Sequence, residues 1–173
     1  HDSMPGDAFQ DAVEVIRAMI GAGDVYQVNL TRAYTAHAAI APSDLYARLT
    51  RDEPPRCAAL LRGNGWSIAS ASPEVLFRFD RDAGRAESRP IKGTVRRDGD
   101  DAGEIAWLLA SAKDDSEHLM IVDLVRNDLG TIAPPGGVSV AVYKSVLTLP
   151  YVYHLESTVR AEGLHDCSVA DVL

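Results

Sequence analysis

The segment from Asp114 to Leu129 constrains the fold more than any other part of this sequence. Its middle, Leu119 to Val125, is apolar on nearly every side and is interrupted only by Asp123. Gly130 stops the helical pattern. A helix that is apolar almost all round has to be covered on most of its faces. The segment therefore predicts a buried helix in one sizeable core, which 173 residues with 46% hydrophobic content can supply.

Shorter patterns on both sides of this helix predict the other elements. Helical spacing and capping residues predict helices at Gly6 to Ile20, Asp44 to Leu49 and Glu104 to Ser111. Strands are predicted at Val25 to Tyr34, Ala58 to Leu61, Trp66 to Ala69, Val75 to Asp80, Arg85 to Ile91, Val138 to Tyr143 and Tyr151 to Val159. We expect the strands between positions 58 and 80 to form a meander. This order of elements favours an α+β protein of one domain over a regular βαβ alternation.

Composition excludes several classes of function. The chain carries 25 acidic and 17 basic residues, a net charge of -8, and no basic stripe, which argues against a nucleic-acid partner. No apolar run is long enough to cross a bilayer, which argues against a membrane protein. The two cysteines, Cys57 and Cys167, are far apart and lack metal-type spacing. This usage fits a reducing compartment, so we expect a cytoplasmic protein.

Lys92 and Glu74 are candidates for catalysis. Lys92 lies in the run Pro-Ile-Lys-Gly-Thr at positions 90–94, where a strand would aim its amine into a cleft as a nucleophile. Glu74 lies in Ser-Pro-Glu at the start of a predicted strand. A hairpin turning at positions 81–84 would bring this acid close to the amine, so that the two divide acid and nucleophile work. The alternative is that both are ordinary solvent-exposed charges.

Three carboxylates and one histidine are further candidates. Asp114 and Glu117 are three positions apart and share a helix face, with Asp128 at the far end of that face. Their oxygens suit Mg²⁺, although acidic residues in a first helical turn also act as ordinary partners of the helix dipole. His154 lies on a predicted strand. It is either a substrate contact or a packed, hydrogen-bonded core residue.

Five segments together resemble the chorismate-utilising enzymes. This family includes anthranilate synthase component I, aminodeoxychorismate synthase component I and the isochorismate and salicylate synthases. The segments are Gly23 to Leu30, Ser72 to Glu74, Pro90 to Thr94, Lys113 to Gly130 and His154 to Val159. The resemblance implies the chorismate-binding α+β fold, with antiparallel sheets and helices packed outside them.

The resemblance also implies roles for the candidate residues. Glu74 matches the general acid for loss of the C4 hydroxyl of chorismate. Glu117 matches a Mg²⁺ ligand, and Asp114 matches an acidic residue that supports the waters of the metal. The positions that match the lining of the substrate pocket are Gly93, Thr94 and His154.

Lys92 distinguishes between members of the family. Anthranilate synthase has alanine at the matching position, whereas aminodeoxychorismate synthase component I has this lysine as the proposed covalent nucleophile. The resemblance thus implies amination of chorismate at C4 to 4-amino-4-deoxychorismate, for p-aminobenzoate and folate, with ammonia from a glutamine amidotransferase subunit or domain. One alternative is an anthranilate synthase or isochorismate-type enzyme that carries lysine. Another is a non-catalytic fragment that docks an amidotransferase.

The resemblance also bears on domain organisation. Members of the family continue beyond the position that matches Leu173 with a Gly-Ala-Pro-Lys segment and a later glutamate that completes the metal site. We therefore expect residues 1–173 to be a single partial catalytic domain, truncated on its C-terminal side. We also expect these residues to be inactive by themselves.

Overall fold

The structure, a computed structural model, describes residues 2–173 and contains two compact units, one ending at Ala41 and one running from Pro42 to Leu173. The first unit contains helix α1 (Gly6–Ala22). Gly23 ends this helix in a left-handed conformation with φ of 82°, and its N–H donates to the carbonyl of Ile20. The predicted first helix is confirmed and runs two residues further than expected.

The strand predicted from Val25 to Tyr34 is wrong. This stretch contains only an isolated antiparallel bridge between Asp2 and Tyr34, and the side chains of Tyr26 and Tyr34 are exposed. A strand requires a partner for its backbone hydrogen bonds. In the described part of the first unit no other strand is present, so residues with high strand propensity remain in an irregular conformation.

The second unit contains four helices and seven strands. The helices are α2 (Pro42–Leu49), α3 (Asp101–Ala110), α4 (Ala112–Gly130) and α5 (Val169–Val172). The strands are β1 (Cys57–Gly63), β2 (Trp66–Ser72), β3 (Val75–Asp80), β4 (Arg85–Arg89), β5 (Ile91–Arg96), β6 (Val138–Thr148) and β7 (Val152–Glu162). The predicted helices and most predicted strands are confirmed, with boundaries shifted by a few residues.

β7 is the centre of a five-stranded antiparallel sheet. β6 pairs with one edge of β7, and β4 and β5 pair with successive stretches of the other edge. Pro90 separates β4 from β5. It has no N–H to donate, and its carbonyl accepts a hydrogen bond from the N–H of Ser157. Lys92 lies on β5, beyond the β3–β4 hairpin that we expected to bring it close to Glu74.

The first two strands form a sheet of their own. β1 and β2 pair in an unbroken antiparallel register from Cys57↔Ser72 to Gly63↔Trp66. β3 pairs with β4 in the larger sheet. The predicted meander of three strands is wrong, because β3 pairs with β4 and not with β2. Pro73, which is unfavourable inside a strand, lies where the chain passes from one sheet to the other.

The core lies between α3, α4 and the large sheet. Val122 and Leu129 of α4 pack against Ala86, Val159 and Ala161, and a second cluster joins Leu108 to Tyr153 and Leu155. The prediction that α4 is buried on most faces is wrong in this structure. The sheet covers one side of the helix, and Leu119 and Leu124 on the outer side are more than half exposed.

Candidate active site

An irregular stretch of β5 positions the predicted nucleophile. The pairs Ile91↔Glu156 and Thr94↔His154 belong to different registers, so Lys92 and Gly93 form a bulge between them. Gly93 has φ of 87°, a conformation that L side chains rarely adopt. A Cβ there would lie 3.2 Å from the side chains of Asp114 and Leu108. Only glycine fits, and its lack of a side chain lets α4 pack closely on the strand.

The backbone of Lys92 forms a hydrogen bond with α4, whereas its amine has no partner among the described side chains. Its carbonyl oxygen lies 3.3 Å from Nδ1 of His118, a hydrogen bond that joins β5 to α4. The side chain is half-buried. Among residues 2–173, no side chain forms a hydrogen bond or ion pair with its ammonium group. The amine is thus available to a substrate.

The carboxylate of Glu74 contacts the backbone of the residue that precedes Lys92. Its carboxylate Oε1 accepts a hydrogen bond of 3.0 Å from the N–H of Ile91, the residue before Lys92. The contact crosses from the loop between β2 and β3 to the start of β5, rather than running along a hairpin. The side chain is exposed, so the carboxyl group can reach a ligand as well as the backbone.

Thr94 and His154 lie on the other side of the bulge. They are cross-strand partners, and Oγ1 of Thr94 is 2.8 Å from Nδ1 of His154. The same nitrogen lies 3.4 Å from the carbonyl oxygen of Gly93. The structure therefore brings together Glu74, Lys92, Gly93, Thr94 and His154 around one short strand.

The two candidate metal ligands lie on the first turns of α4. Ser111 caps this helix by accepting a hydrogen bond from the N–H of Asp114. Asp114 is half-buried beside Gly93, and Glu117, one turn later, forms an ion pair of 3.6 Å with Lys113. No group of three or more metal-binding side chains occurs in residues 2–173. Two neighbouring carboxylates nevertheless fit Mg²⁺, which takes one or two such ligands together with waters and substrate oxygens.

Asp128 is separate from this site. It lines a cavity of about 290 Å³ between the C-terminal end of α4 and α5, together with Val125 and Leu129. None of the other candidate residues predicted from the sequence lines this cavity. The shared helix face predicted for Asp128 and Glu117 therefore does not place Asp128 near Lys92.

A buried polar pair behind Lys92 was not predicted. His118 and Ser157 have no exposed surface, and Nε2 of His118 lies 2.6 Å from Oγ of Ser157. Burial lowers the pKa of His118, and the nearby ammonium of Lys144 lowers it further. The signal in the sequence was helical spacing, because His118 lies four positions before Val122 on the buried face of α4.

Comparison with known proteins identifies the family. A model of the family described as chorismate binding enzyme matches residues 1–173, the whole chain. The chain belongs to the chorismate-binding enzymes. An aminodeoxychorismate synthase of Streptomyces pristinaespiralis is 42% identical over 163 residues, which cover 92% of this chain and 22% of the relative. An anthranilate synthase component 1 of Haloarcula marismortui is 37% identical over 171 residues, covering 96% of this chain and 34% of the relative.

A solved structure of the same family confirms the fold. The crystal structure of anthranilate synthase component I from Streptococcus pneumoniae TIGR4 superposes with a TM-score of 0.88 at 30% identity, over 100% of this chain and 38% of that one. The predicted α+β fold, with antiparallel sheets and helices, is therefore confirmed. The chain spans between about a fifth and two fifths of the length of these three relatives.

Proposed function

We propose that this chain forms part of an aminodeoxychorismate synthase component I, which aminates chorismate at C4. The observation that carries the proposal is that Lys92, whose amine has no partner among the described side chains, lies on a bulge next to Ile91, and the N–H of Ile91 binds the carboxylate of Glu74. An amine and a carboxylic acid on either side of one reacting centre can act as nucleophile and general acid. Similarity to an aminodeoxychorismate synthase over 92% of the chain supports the same assignment.

In the proposed reaction the neutral amine of Lys92 attacks C2 of chorismate. Both double bonds of the ring shift by one position, and the C4 hydroxyl leaves as water with a proton from Glu74. Ammonia then adds at C4, both double bonds shift back, and the C2–nitrogen bond breaks to release Lys92. One proton lost by the incoming ammonia returns to the carboxylate of Glu74. The product is 4-amino-4-deoxychorismate, a precursor of p-aminobenzoate and folate.

Other residues of the site bind and orient the substrate in this proposal. Asp114 and Glu117 would hold Mg²⁺, which when bound offsets the negative charge of the substrate carboxylate. Gly93, Thr94 and His154 would line the pocket, with the imidazole and the hydroxyl as polar contacts for the ring. Each of these side chains lies on β5, β7 or α4, so the site is built on regular elements rather than on mobile loops.

Ammonia would come from a glutamine amidotransferase subunit or domain. We place the enzyme in the cytoplasm, since Cys57 and Cys167 are free thiols, which suits a reducing compartment. No helix in the described part of the chain has the length and apolar character to span a membrane. Because the chain spans only about a fifth to two fifths of the length of the matched relatives, we propose the activity for the protein as its gene encodes it.

Anthranilate synthase component I is the second candidate. It is favoured by the similarity to the Haloarcula and Streptococcus proteins, whose fold and sequence match over nearly the whole chain. The two reactions differ in where nitrogen is added and in whether pyruvate leaves. Identification of the product therefore separates them directly.

The test is product analysis of the protein as its gene encodes it, supplied with chorismate, Mg²⁺ and ammonium. We expect 4-amino-4-deoxychorismate, without pyruvate release, and loss of this product in the Lys92→Ala variant. The control is Arg81→Ala, which alters an exposed residue of the β3–β4 turn and should leave turnover unchanged. Anthranilate with pyruvate, isochorismate, or no conversion of chorismate by the wild-type protein would each contradict the proposal.

A further inference from the structure

Two fully buried polar residues lie behind Lys92 and have no role in the chemistry proposed above. His118 of α4 and Ser157 of β7 form a short hydrogen bond, with Nε2 and Oγ 2.6 Å apart. The other ring nitrogen of His118 lies 3.3 Å from the carbonyl oxygen of Lys92. Every polar atom of the imidazole therefore has a partner, as buried polar groups require.

The partners fix the direction of each hydrogen bond. A carbonyl oxygen only accepts, so Nδ1 of His118 carries a proton and donates it to Lys92. In the neutral ring Nε2 is then an acceptor for the hydroxyl of Ser157. The Ser157 oxygen in turn accepts from the backbone N–H of Lys144 at 3.0 Å. The four groups form one directed chain of hydrogen bonds that ends on the backbone of Lys92.

The bulge explains why Lys92 requires this support. Between Ile91 and Thr94 the register of β5 with β7 shifts, so the carbonyl of Lys92 lies outside the regular ladder. Ser157 also contacts the start of β5 directly, since its N–H donates to the carbonyl of Pro90 at 3.2 Å. The conformation of the bulge is thus held from α4 and β7, and not by the pairing of the strand alone.

The other end of the chain of hydrogen bonds is held in an uncommon conformation. Lys144 has φ of 53° and is the one residue other than glycine with positive φ among the described residues. Its ammonium forms an ion pair of 2.6 Å with Asp115 on α4. Backbone strain of this kind persists where surrounding contacts require it. The register of β6 with β7 shifts between Val142 and Ser145, and within this shift the N–H of Lys144 donates to Ser157.

We propose that His118 is a positioning residue for Lys92. Its hydrogen bond to the Lys92 carbonyl holds the bulge in the conformation that aims the amine at the substrate. Because Glu117 precedes His118 on α4, the same bond also fixes the separation of that amine from the carboxylate that would hold Mg²⁺. The inference rests on the proposed function of Lys92, and it adds a second residue, His118, that fixes the position of this nucleophile.

Two variants of His118 separate its two hydrogen bonds. In His118→Asn the amide nitrogen takes the place of Nδ1 and can still donate to Lys92, but the contact with Ser157 is lost. In His118→Gln the longer side chain reaches Ser157 and loses the donor to Lys92. Each variant removes one of two buried hydrogen bonds, so we expect similar losses of thermal stability.

We expect the two variants to differ in turnover by the protein as its gene encodes it. Displacement of a reacting group by about 1 Å costs on the order of 100-fold in rate, so His118→Gln should lose about that factor in kcat with little change in KM. His118→Asn should retain most of the wild-type kcat. Equal losses of kcat in both variants, in proportion to their losses of stability, would show that His118 serves packing alone and would overturn the inference.

A second readout does not depend on turnover. Hydrogen exchange of the backbone N–H groups of residues 92–94 should be faster in His118→Gln than in His118→Asn. Equal exchange in the two variants would overturn the positioning role. If wild-type protein makes no aminodeoxychorismate but exchange differs as expected, the proposed function fails and the support of the bulge by His118 stands.

Discussion

The corner where β5 meets β7 and the hairpin of β1 and β2 are both antiparallel pairs of strands, but they differ in regularity and in burial. The hairpin has an unbroken register of seven pairs, and its residues Leu61, Trp66 and Ile68 are each about half exposed. The corner has an interrupted register, and Leu155 and Ser157 at its centre have no exposed surface. In this protein the irregular ladder is the tightly packed one.

Irregular backbone is retained in this protein where other elements pack against it. A bulge with a left-handed glycine is unfavourable unless surrounding contacts require it. α3 and α4 supply such contacts at the corner, through Leu108 and Asp114, which lie against Gly93. Helix α2 packs on the hairpin, but no residue of β1 or β2 is fully buried, and the only left-handed residue of the hairpin, Gly65, lies in the turn. All the residues of the candidate active site except Glu74 lie on β5, on β7 or on α4, which packs against this corner.

Removal of an apolar side chain should give the largest contrast between the two regions. Leu155→Ala at the corner should lower the free energy of unfolding of the 173-residue chain by about 2 to 5 kcal/mol, because it leaves a cavity in a closed core. Ile68→Ala in the hairpin should cost about 0.5 kcal/mol or less, since the side chain is half exposed. Urea denaturation measures both. Equal costs would show that the corner is no better packed than the hairpin.

Replacement of glycine by alanine should give a smaller difference in stability between the two regions, at two positions with the same backbone conformation. Gly93 and Gly65 have φ of 87° and 80°, so alanine at either position should cost about 1 to 2 kcal/mol for the left-handed conformation. Gly93→Ala also forces a Cβ to within 3.2 to 3.3 Å of three side chains, whereas Gly65→Ala meets nothing within 4 Å. We expect Gly93→Ala to cost about 1 to 3 kcal/mol more. Thermal unfolding of the two variants gives the difference, and its absence would remove the packing argument.

The smallest expected contrast between the two regions is in how their stability depends on pH in the acidic range. Burial alone would raise the pKa of Glu87 on β4, but hydrogen bonds and charges of Arg89 and Arg160 outweigh it and hold the pKa below its usual range. The unfolded chain therefore binds the proton more readily. This contribution to stability is complete above the unfolded pKa, about 4.3, and is lost as pH falls through the folded pKa.

We expect the slope of stability against pH below about 4.3 to be shallower in Glu87→Gln than in the wild-type chain. Strands β1 and β2 contain no carboxylate, so the hairpin contributes nothing to this slope. Urea denaturation at a series of acidic pH values measures it. An unchanged slope would show that the ion pairs of Glu87 do not couple protonation to folding.

Sequence patterns predicted the helices and most of the strands. The helices were recognisable because their apolar residues recur at helical spacing and their ends carry Gly, Ser or Pro. Thr94 and His154 were correctly expected near Lys92, although only the register of β5 on β7 shows that they are direct cross-strand partners. The resemblance of motifs supplied their roles, which remain predictions.

Pairing of strands and burial could not be predicted from local patterns. Pro90 signals an interruption, but it does not show that β5 continues along the same edge of β7 as β4. The segment from Val25 to Tyr34 has the composition of a strand and lacks a partner strand in its unit. His118 was overlooked because a buried histidine is recognisable only from the partners that long-range folding brings to it.

The most direct test of the central claim is whether chorismate becomes attached to Lys92. The protein as its gene encodes it is incubated with chorismate and Mg²⁺ in the absence of ammonia, and peptides are analysed by mass spectrometry. Lys113 and Lys144, the other two lysines of this chain, serve as internal controls. We predict a mass increase of chorismate less water on the peptide with Lys92, reversed by ammonium. Turnover to 4-amino-4-deoxychorismate with no adduct on Lys92, or with full activity in Lys92→Ala, would contradict the account.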